Sequence, residues 1–207
     1  MHTMNALSTY RPLILGLGGT TRAGSSSEKA LTISLKAAKA RGARVEMISG
    51  PALDLPMYAP EIKTRTAAAQ RLVELFRDCD GLIISSPSYH GSIPGLLKNA
   101  LDYTEDLGGD RRTYFDGCAI GLIACAGGWQ GAGQTLATLR SVTHSLRAWP
   151  TPLAAVLNTS LPLFDASSIC TDANVTFQLE TVAAQVVQFA QMQRNFIQGT
   201  GSKTENV

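Results

Sequence analysis

One repeated feature constrains this chain more than any other: short, unbroken apolar runs alternate with longer segments whose apolar residues recur at helical spacing. The runs at Leu13–Leu17, Gly81–Ser85, 118–126 and 152–158 lack the polar residue at every second position that a half-solvated strand would show. Both faces of these strands must therefore be covered. Helical spacing fits Glu28–Arg41, 61–78, 94–105, 131–148 and 172–197, and ARVEMIS at 43–49 supplies one more, alternating strand. Five strands in strict alternation with helices predict an α/β three-layer sandwich, a five-stranded parallel sheet in the order 2-1-3-4-5 with helices on both sides.

A chain of 207 residues with 44% hydrophobic content suits one domain with a substantial core, expected over residues 1–198. The remainder, GTGSKTENV at 199–207, is small and polar enough to be disordered. Eighteen basic and 16 acidic side chains give a net charge of +2 without any Lys/Arg run. That pattern offers no stripe for tracking phosphates, so nucleic acid is not expected as a partner.

No apolar run approaches the ~18 residues that argue for a membrane span, and the polar start MHTMNALSTYR lacks a signal peptide's apolar core, so a cytoplasmic location is expected. Cys79, Cys118, Cys125 and Cys170 form no CxxC pair and no metal-ligand spacing with the three histidines. They are expected to be buried free thiols, and no metal site is expected.

In an open parallel sheet, ligands bind at the carboxyl ends of the strands beside the switch point. Three loops emerge there. The first, GGTTRAGSSSEK, turns on Gly18 and Gly19, then offers the hydroxyls of Thr20, Thr21, Ser25, Ser26 and Ser27 and the guanidinium of Arg22. Ser25 and Glu28 fit a capping box, which places a helix N-terminus at this loop, and that combination suits a phosphate dianion. The spacing is neither a G-x-G-x-x-G fingerprint nor a Walker loop ending in Gly-Lys-Ser, which favours a monophosphate group.

The second loop, SSPSYHGSIPG, stiffens at Pro87; Tyr89 and His90 can lie against a flat heterocycle, and Gly91 leaves an amide open to its edge. The third, CAGGWQGAGQ, again brings glycines where backbone must approach a ligand. Its Trp129 reads equally as a lid or subunit contact and as the lining of a substrate pocket.

These loops resemble those of the NAD(P)H-dependent FMN reductase family, of the flavodoxin-like superfamily, over residues 12 to about 158. The most specific piece is PSYHGSIPGLLKNALDY, similar to that family's Pro-Glu-Tyr-Asn/His-Gly-Ser-Ile-Pro-Gly-x-Leu-Lys-Asn-Ala-Leu/Ile-Asp segment. GGTTRAGSSS is similar to its Gly-Ser-x-Arg-x-x-Ser phosphate loop. The resemblance implies a flavodoxin-like fold and an FMN site. Gly19, Thr20, Arg22, Ser25 and Ser27 would surround the phosphate, and Pro87, Ser88, Tyr89, His90 and Gly91 would border the isoalloxazine. Gly127 and Gly128 would face the side of the ring where reduced flavin carries negative charge. Ser88 stands where the family usually has Glu.

The implied chemistry is hydride transfer from NADPH or NADH to FMN, with electrons passed on to a small-molecule acceptor. The expected acceptor is either free flavin serving a flavin-dependent monooxygenase partner or a small molecule reduced directly, of quinone, azo-dye or metal-oxyanion type. The flavin carries the reactivity, so no catalytic triad is expected. His90 is a candidate to protonate an acceptor or, as favoured, simply to hydrogen-bond near the ring. Lys98, Asn99 and Asp102 match the family segment but read more simply as structural or subunit-contact residues. Arg111 and Arg112 are candidates for nicotinamide phosphates or a partner subunit, with solvated charge the favoured reading. The family resemblance further implies a homodimer or homotetramer. The alternative function is a flavodoxin-like electron carrier or flavin-binding protein without nicotinamide oxidation of its own.

Overall fold

The computed structural model describes residues 10–201. Its elements run β1 (Leu13–Gly18), α1 (Ser26–Ala40), β2 (Arg44–Ile48), α2 (Ala67–Asp78), β3 (Gly81–Pro87), α3 (Gly95–Asp102), β4 (Ala119–Ala126), α4 (Trp129–Ser145), β5 (Trp149–Pro150), β6 (Ala155–Asn158) and α5 (Ala173–Gly201). Every pairing between these strands is parallel, and the order is β2-β1-β3-β4-β5 with β6 also pairing β4. This is the expected 2-1-3-4-5 sheet.

The last strand is not the single run expected at 152–158. Trp149 and Pro150 pair with Ala119 and Ile120, and Ala155–Asn158 resume the same ladder at Ile123–Ala126. Pro150 and Pro152 bring no N–H to the ladder, and the Thr151 hydroxyl donates to the carbonyl of Leu153 at 2.8 Å, so the strand breaks between its halves.

The sheet separates two apolar layers. Leu15, Leu17, Leu82, Ile84, Ile120 and Leu122 pack against Leu72, Phe76, Leu97 and Leu139 on one side. On the other, Ile14, Ile83, Ile123 and Leu157 meet Leu31, Leu35, Leu179, Val182 and Val186 of α1 and α5. The central strands β1, β3 and β4 are buried nearly throughout, which accounts for their uninterrupted apolar sequence, whereas β2 is a partly exposed edge. The Ser34 hydroxyl, fully buried, donates to the Leu179 carbonyl at 2.8 Å and ties α1 to α5.

Several boundaries differ from expectation for local reasons. Helix α2 begins at Ala67 rather than near 61 because the Thr66 hydroxyl accepts from the Ala69 N–H at 3.3 Å, an N-cap bond. Segment 54–66 is instead a strap. Asn99, 4% exposed, takes the Tyr58 N–H on its side-chain oxygen at 2.8 Å and donates to the carbonyls of Leu55 and Pro56. Arg65 lies over the rings of Tyr58 and Tyr103 and forms a bidentate pair with Asp106, at 2.8 and 2.7 Å. Helix α4 starts at Trp129 and stops before Arg147, whose φ of 62° takes the chain out of the helix.

Three of the four thiols are buried, and Cys170 is half-buried. Burial pushes the Cys118 thiol up to about 11, so it stays protonated near neutrality. Among the described residues no His/Cys/Asp/Glu cluster suits a metal ion, and no helix is long and apolar enough to cross a membrane. The tail expected from Gly199 overlaps α5 as far as Gly201, while residues 202–207 and the first nine residues lie outside the described residues.

Candidate functional site

The carboxyl ends of β1, β3 and β4 open into a cavity of about 380 Å³, lined by Thr20, Thr21, Arg22, Ser25, Ser26, Ser27, Pro87, Tyr89, Cys125 and Thr159. Its first wall is the turn between β1 and α1. Ser25, in extended conformation, caps α1 by accepting the Glu28 N–H at 3.3 Å, and its hydroxyl lies 3.2 Å from that of Ser27. The N–H groups of Ser26 and Ser27 occupy the first turn, where no carbonyl within the helix can accept them. The Thr20 hydroxyl accepts the Arg22 N–H at 3.2 Å, which leaves the exposed guanidinium beside the cup.

The capping box is altered rather than absent. Glu28 does not return to the N-cap residue; one carboxylate oxygen accepts the Gly24 N–H and the other the Ser49 hydroxyl at 2.9 Å. Its charge is thereby turned away from the cavity, and no carboxylate lines that space. Hydroxyls, one guanidinium and the positive end of a helix dipole remain. This is a donor set for an anion with several acceptor oxygens, and it fits a phosphate monoester.

The second wall comes off β3. At Gly19 a side chain would meet Pro87: an added Cβ would lie 2.8 Å from the proline Cδ, so only glycine lets the first two loops approach so closely. Beyond Pro87, the Ser88 N–H still donates to the Cys125 carbonyl at 2.8 Å, extending the β3–β4 ladder. Tyr89 and Ser92 then exchange backbone bonds of 2.9 and 3.1 Å across His90 and Gly91, whose φ values of 51° and 81° are those of a primed hairpin turn. This turn leaves Tyr89 half-exposed beside the cavity and carries exposed His90 at its tip.

The third loop is short. Because Trp129 belongs to α4, the connection is Gly127–Gly128, with Gly128 extended as the N-cap and the indole 60% exposed in the first turn. The Ser160 hydroxyl donates to the Gly127 carbonyl, and the Thr159 N–H donates to the Ala126 carbonyl at 2.7 Å. The segment after β6 thus forms a fourth wall, which sequence reasoning missed along with Cys125. The available signal was topological: a last strand beside β4 must deliver its following residues next to Gly127. Burial pushes the Cys125 thiol up to about 12, so the cavity floor is neutral.

Of the expected residues, Thr20, Arg22, Ser25, Ser27, Pro87 and Tyr89 line one cavity, Gly19 shapes its base, and Ser88, His90, Gly91, Gly127 and Gly128 belong to the loops around it. Arg112 does not join them. It lies before β4, at the opposite edge of the sheet, and donates to the carbonyls of Phe76, Arg77 and Cys79. Those oxygens at the end of α2 lack partners within the helix, so the guanidinium serves as a C-terminal cap. Asn99 anchors the 55–58 strap, and Lys98 forms an i,i+4 ion pair with Asp102. Arg111 is exposed.

Comparison with known proteins gives a consistent result. The family described as NADPH-dependent FMN reductase matches residues 12–160. The FMN-dependent NADPH-azoreductase of Staphylococcus aureus is 31% identical over 139 residues, covering 66% of this chain and 70% of that protein. The NADPH azoreductase of Bacillus sp. (strain OY1-2) is 30% identical over 106 residues, and the match spans 51% of this chain and 56% of that protein, just over half its length. Among solved structures, a flavoenzyme NAD(P)H:(acceptor) oxidoreductase from Paracoccus denitrificans superposes with a TM-score of 0.73 at 20% identity, over 88% of this chain and 98% of that one. The architecture is flavodoxin-like.

Proposed function

The chain belongs to the NADPH-dependent FMN reductase family, and we propose that it is an FMN-dependent oxidoreductase that draws electrons from NADPH and delivers them to a small-molecule acceptor. The observation that carries this reading is the cavity at the β1, β3 and β4 ends, where a phosphate cup without any carboxylate adjoins the Pro87–Tyr89 wall. Bound FMN supplies the two-electron chemistry, hydride uptake from the reduced nicotinamide and release of electrons to the acceptor.

The chain's own part is binding and orientation. Thr20, Ser25, Ser27, the Arg22 guanidinium and the first-turn amides of α1 hold the phosphate end. Pro87, Ser88, Tyr89, His90 and Gly91 border one edge of the ring, and the Gly127–Gly128 amides border another. The protein needs no nucleophile or acid–base pair, and the buried, protonated Cys125 offers none. His90 stands exposed at the turn tip and serves as a hydrogen-bonding rim residue rather than a proton donor. Trp129 and Tyr89, both more than half-exposed, flank the entrance and present apolar surface to a flat acceptor such as a quinone-type or azo compound.

The visible spectrum of purified protein supplied with FMN, recorded without oxygen before and after NADPH, tests the proposal. Bleaching of the flavin band near ~450 nm, a property of the cofactor, is the expected result. Binding without bleaching would make the protein an electron carrier, and failure to bind FMN would overturn the assignment of the site.

A further inference from the structure

On the outer side of α1, a groove of about 500 Å³ lies apart from the cavity described above. Ile33 of α1 faces Ile169 and Cys170 across it, and Lys29 and Lys36, seven residues apart on one helical face, stand along its rim. The opposing segment is held in place: the Asp165 carboxylate accepts the N–H groups of Ser167 and Ile169, both at 2.9 Å, and Phe164 bridges Cys170. Ile169 is 62% exposed there.

The charge of this groove is unbalanced. Neither lysine enters an ion pair among the described residues; Lys29 lies 5.7 Å from the Phe164 ring centroid. Glu28 also lines the groove and keeps its negative charge while accepting from the Gly24 N–H and the Ser49 hydroxyl, so two ammonium groups face one carboxylate there. The groove thus has an apolar floor and a surplus of one positive charge, the two lysines on its rim outnumbering the one carboxylate, in a volume typical of small-molecule sites.

We infer that this groove is a second ligand site, distinct from the flavin cavity, for a planar aromatic molecule carrying an anionic group. The aromatic body rests on Ile33 and Ile169, where it removes apolar surface from water. The anion sits between the Lys29 and Lys36 ammonium groups. Two sources share this chemistry: a free aromatic sulfonate or carboxylate, and the phosphoadenosine end of a nicotinamide dinucleotide. The second is a candidate because the groove and the flavin cavity flank one loop, Gly24 lining the first and Ser25 the second.

The test is a calorimetric titration of the full chain, with and without saturating FMN, using 2-naphthalenesulfonate as probe. One equivalent should bind in both conditions. Lys36→Glu should weaken binding about tenfold or more by reversing a contacting charge, and Ile169→Ser, which removes an exposed side chain, should weaken it while leaving the melting temperature and FMN affinity unchanged. Absence of binding, or equal binding by both variants, would overturn the site. Displacement of the probe by NADP⁺ would assign the groove to the co-substrate's phosphoadenosine end, and persistence of the probe would assign it to a separate molecule.

Discussion

The Ser88 hydroxyl donates to the Gly131 carbonyl at 3.1 Å, and this one bond fastens the loop after β3 to the first turns of α4. The two elements it joins carry Tyr89 on one side and Trp129 on the other, so it fixes the spacing of the entrance. The fit is close: a Cβ at Gly131 would lie 3.2 Å from the Ser88 Oγ. The glutamate usual in the family could not occupy this position in the same way, and serine with glycine forms a matched local substitute.

Ser88→Ala should therefore lower stability by about 0.5–1.5 kcal/mol, the net worth of one neutral hydrogen bond. It should also raise the KM for NADPH more than it lowers kcat, because the loop loosens while the flavin chemistry is untouched. Urea denaturation and steady-state kinetics check the two effects.

Asn99 is a structural member of the family-like segment. Replacing it by Leu keeps the volume but strips the partner from the Tyr58 N–H and from the Leu55 carbonyl, while the Pro56 carbonyl keeps the Tyr103 hydroxyl at 2.9 Å. A loss of roughly 2–6 kcal/mol follows from leaving these two groups unsatisfied at about 1–3 kcal/mol each. Denaturant titration reads it, and proteolysis within 54–66 should accelerate in step.

Arg112→Ala is expected to destabilise the fold by about 1.5–3 kcal/mol, the range for charged hydrogen bonds, because the carbonyls of Phe76, Arg77 and Cys79 lose the guanidinium, and Phe76 and Cys79 keep only the weak thiol donors of Cys79 and Cys118. Its KM for NADPH should stay at the wild-type value, since the residue lies at the sheet edge away from the cavity. A rise in KM would restore the nicotinamide-phosphate reading.

The contrast between Arg22 and Arg112 shows what was legible in the sequence. The strands were plain because burial on both faces leaves an uninterrupted apolar run, and the first two loops were plain because glycine, proline and hydroxyl residues have strong local preferences. Arg112 was not, since its role depends on carbonyls some 35 residues earlier that only the folded sheet brings near. Thr159 was hidden for the same reason: its neighbour across the ladder is set by strand order. The break between β5 and β6 was written locally, in Pro150 and Pro152, yet the apolar run around it suggested one strand.

Acid should act on the strap. The Arg65 guanidinium beside Asp106, with the Tyr58 hydroxyl also donating at 3.2 Å, holds its carboxyl below the usual carboxylate range. A carboxyl with a depressed folded-state pKa stabilises the fold above its unfolded pKa, and that stabilisation disappears as pH falls through the folded pKa. Wild type should thus lose stability below about pH 4 more steeply than Asp106→Asn, which has no such proton to take up. Chemical denaturation between neutral and acidic pH measures the difference in slope, and parallel curves would refute the assignment.

Arg22 tests the cup proposed for the phosphate. Its guanidinium is exposed and enters no ion pair among the described residues, so its removal should leave the fold intact. Hydroxyls and helix amides alone still attract a phosphate, but without the charge-assisted contact FMN should bind more weakly by about 1.5–3 kcal/mol, roughly 10- to 150-fold in Kd. Arg22→Lys should recover part of this, as a point charge without the planar fork. Fluorescence titration of FMN against wild type, Arg22→Ala and Arg22→Lys gives the order directly. Unchanged affinity in Arg22→Ala, with an unchanged melting temperature, would move the phosphate out of this cup and remove the support for the flavin site.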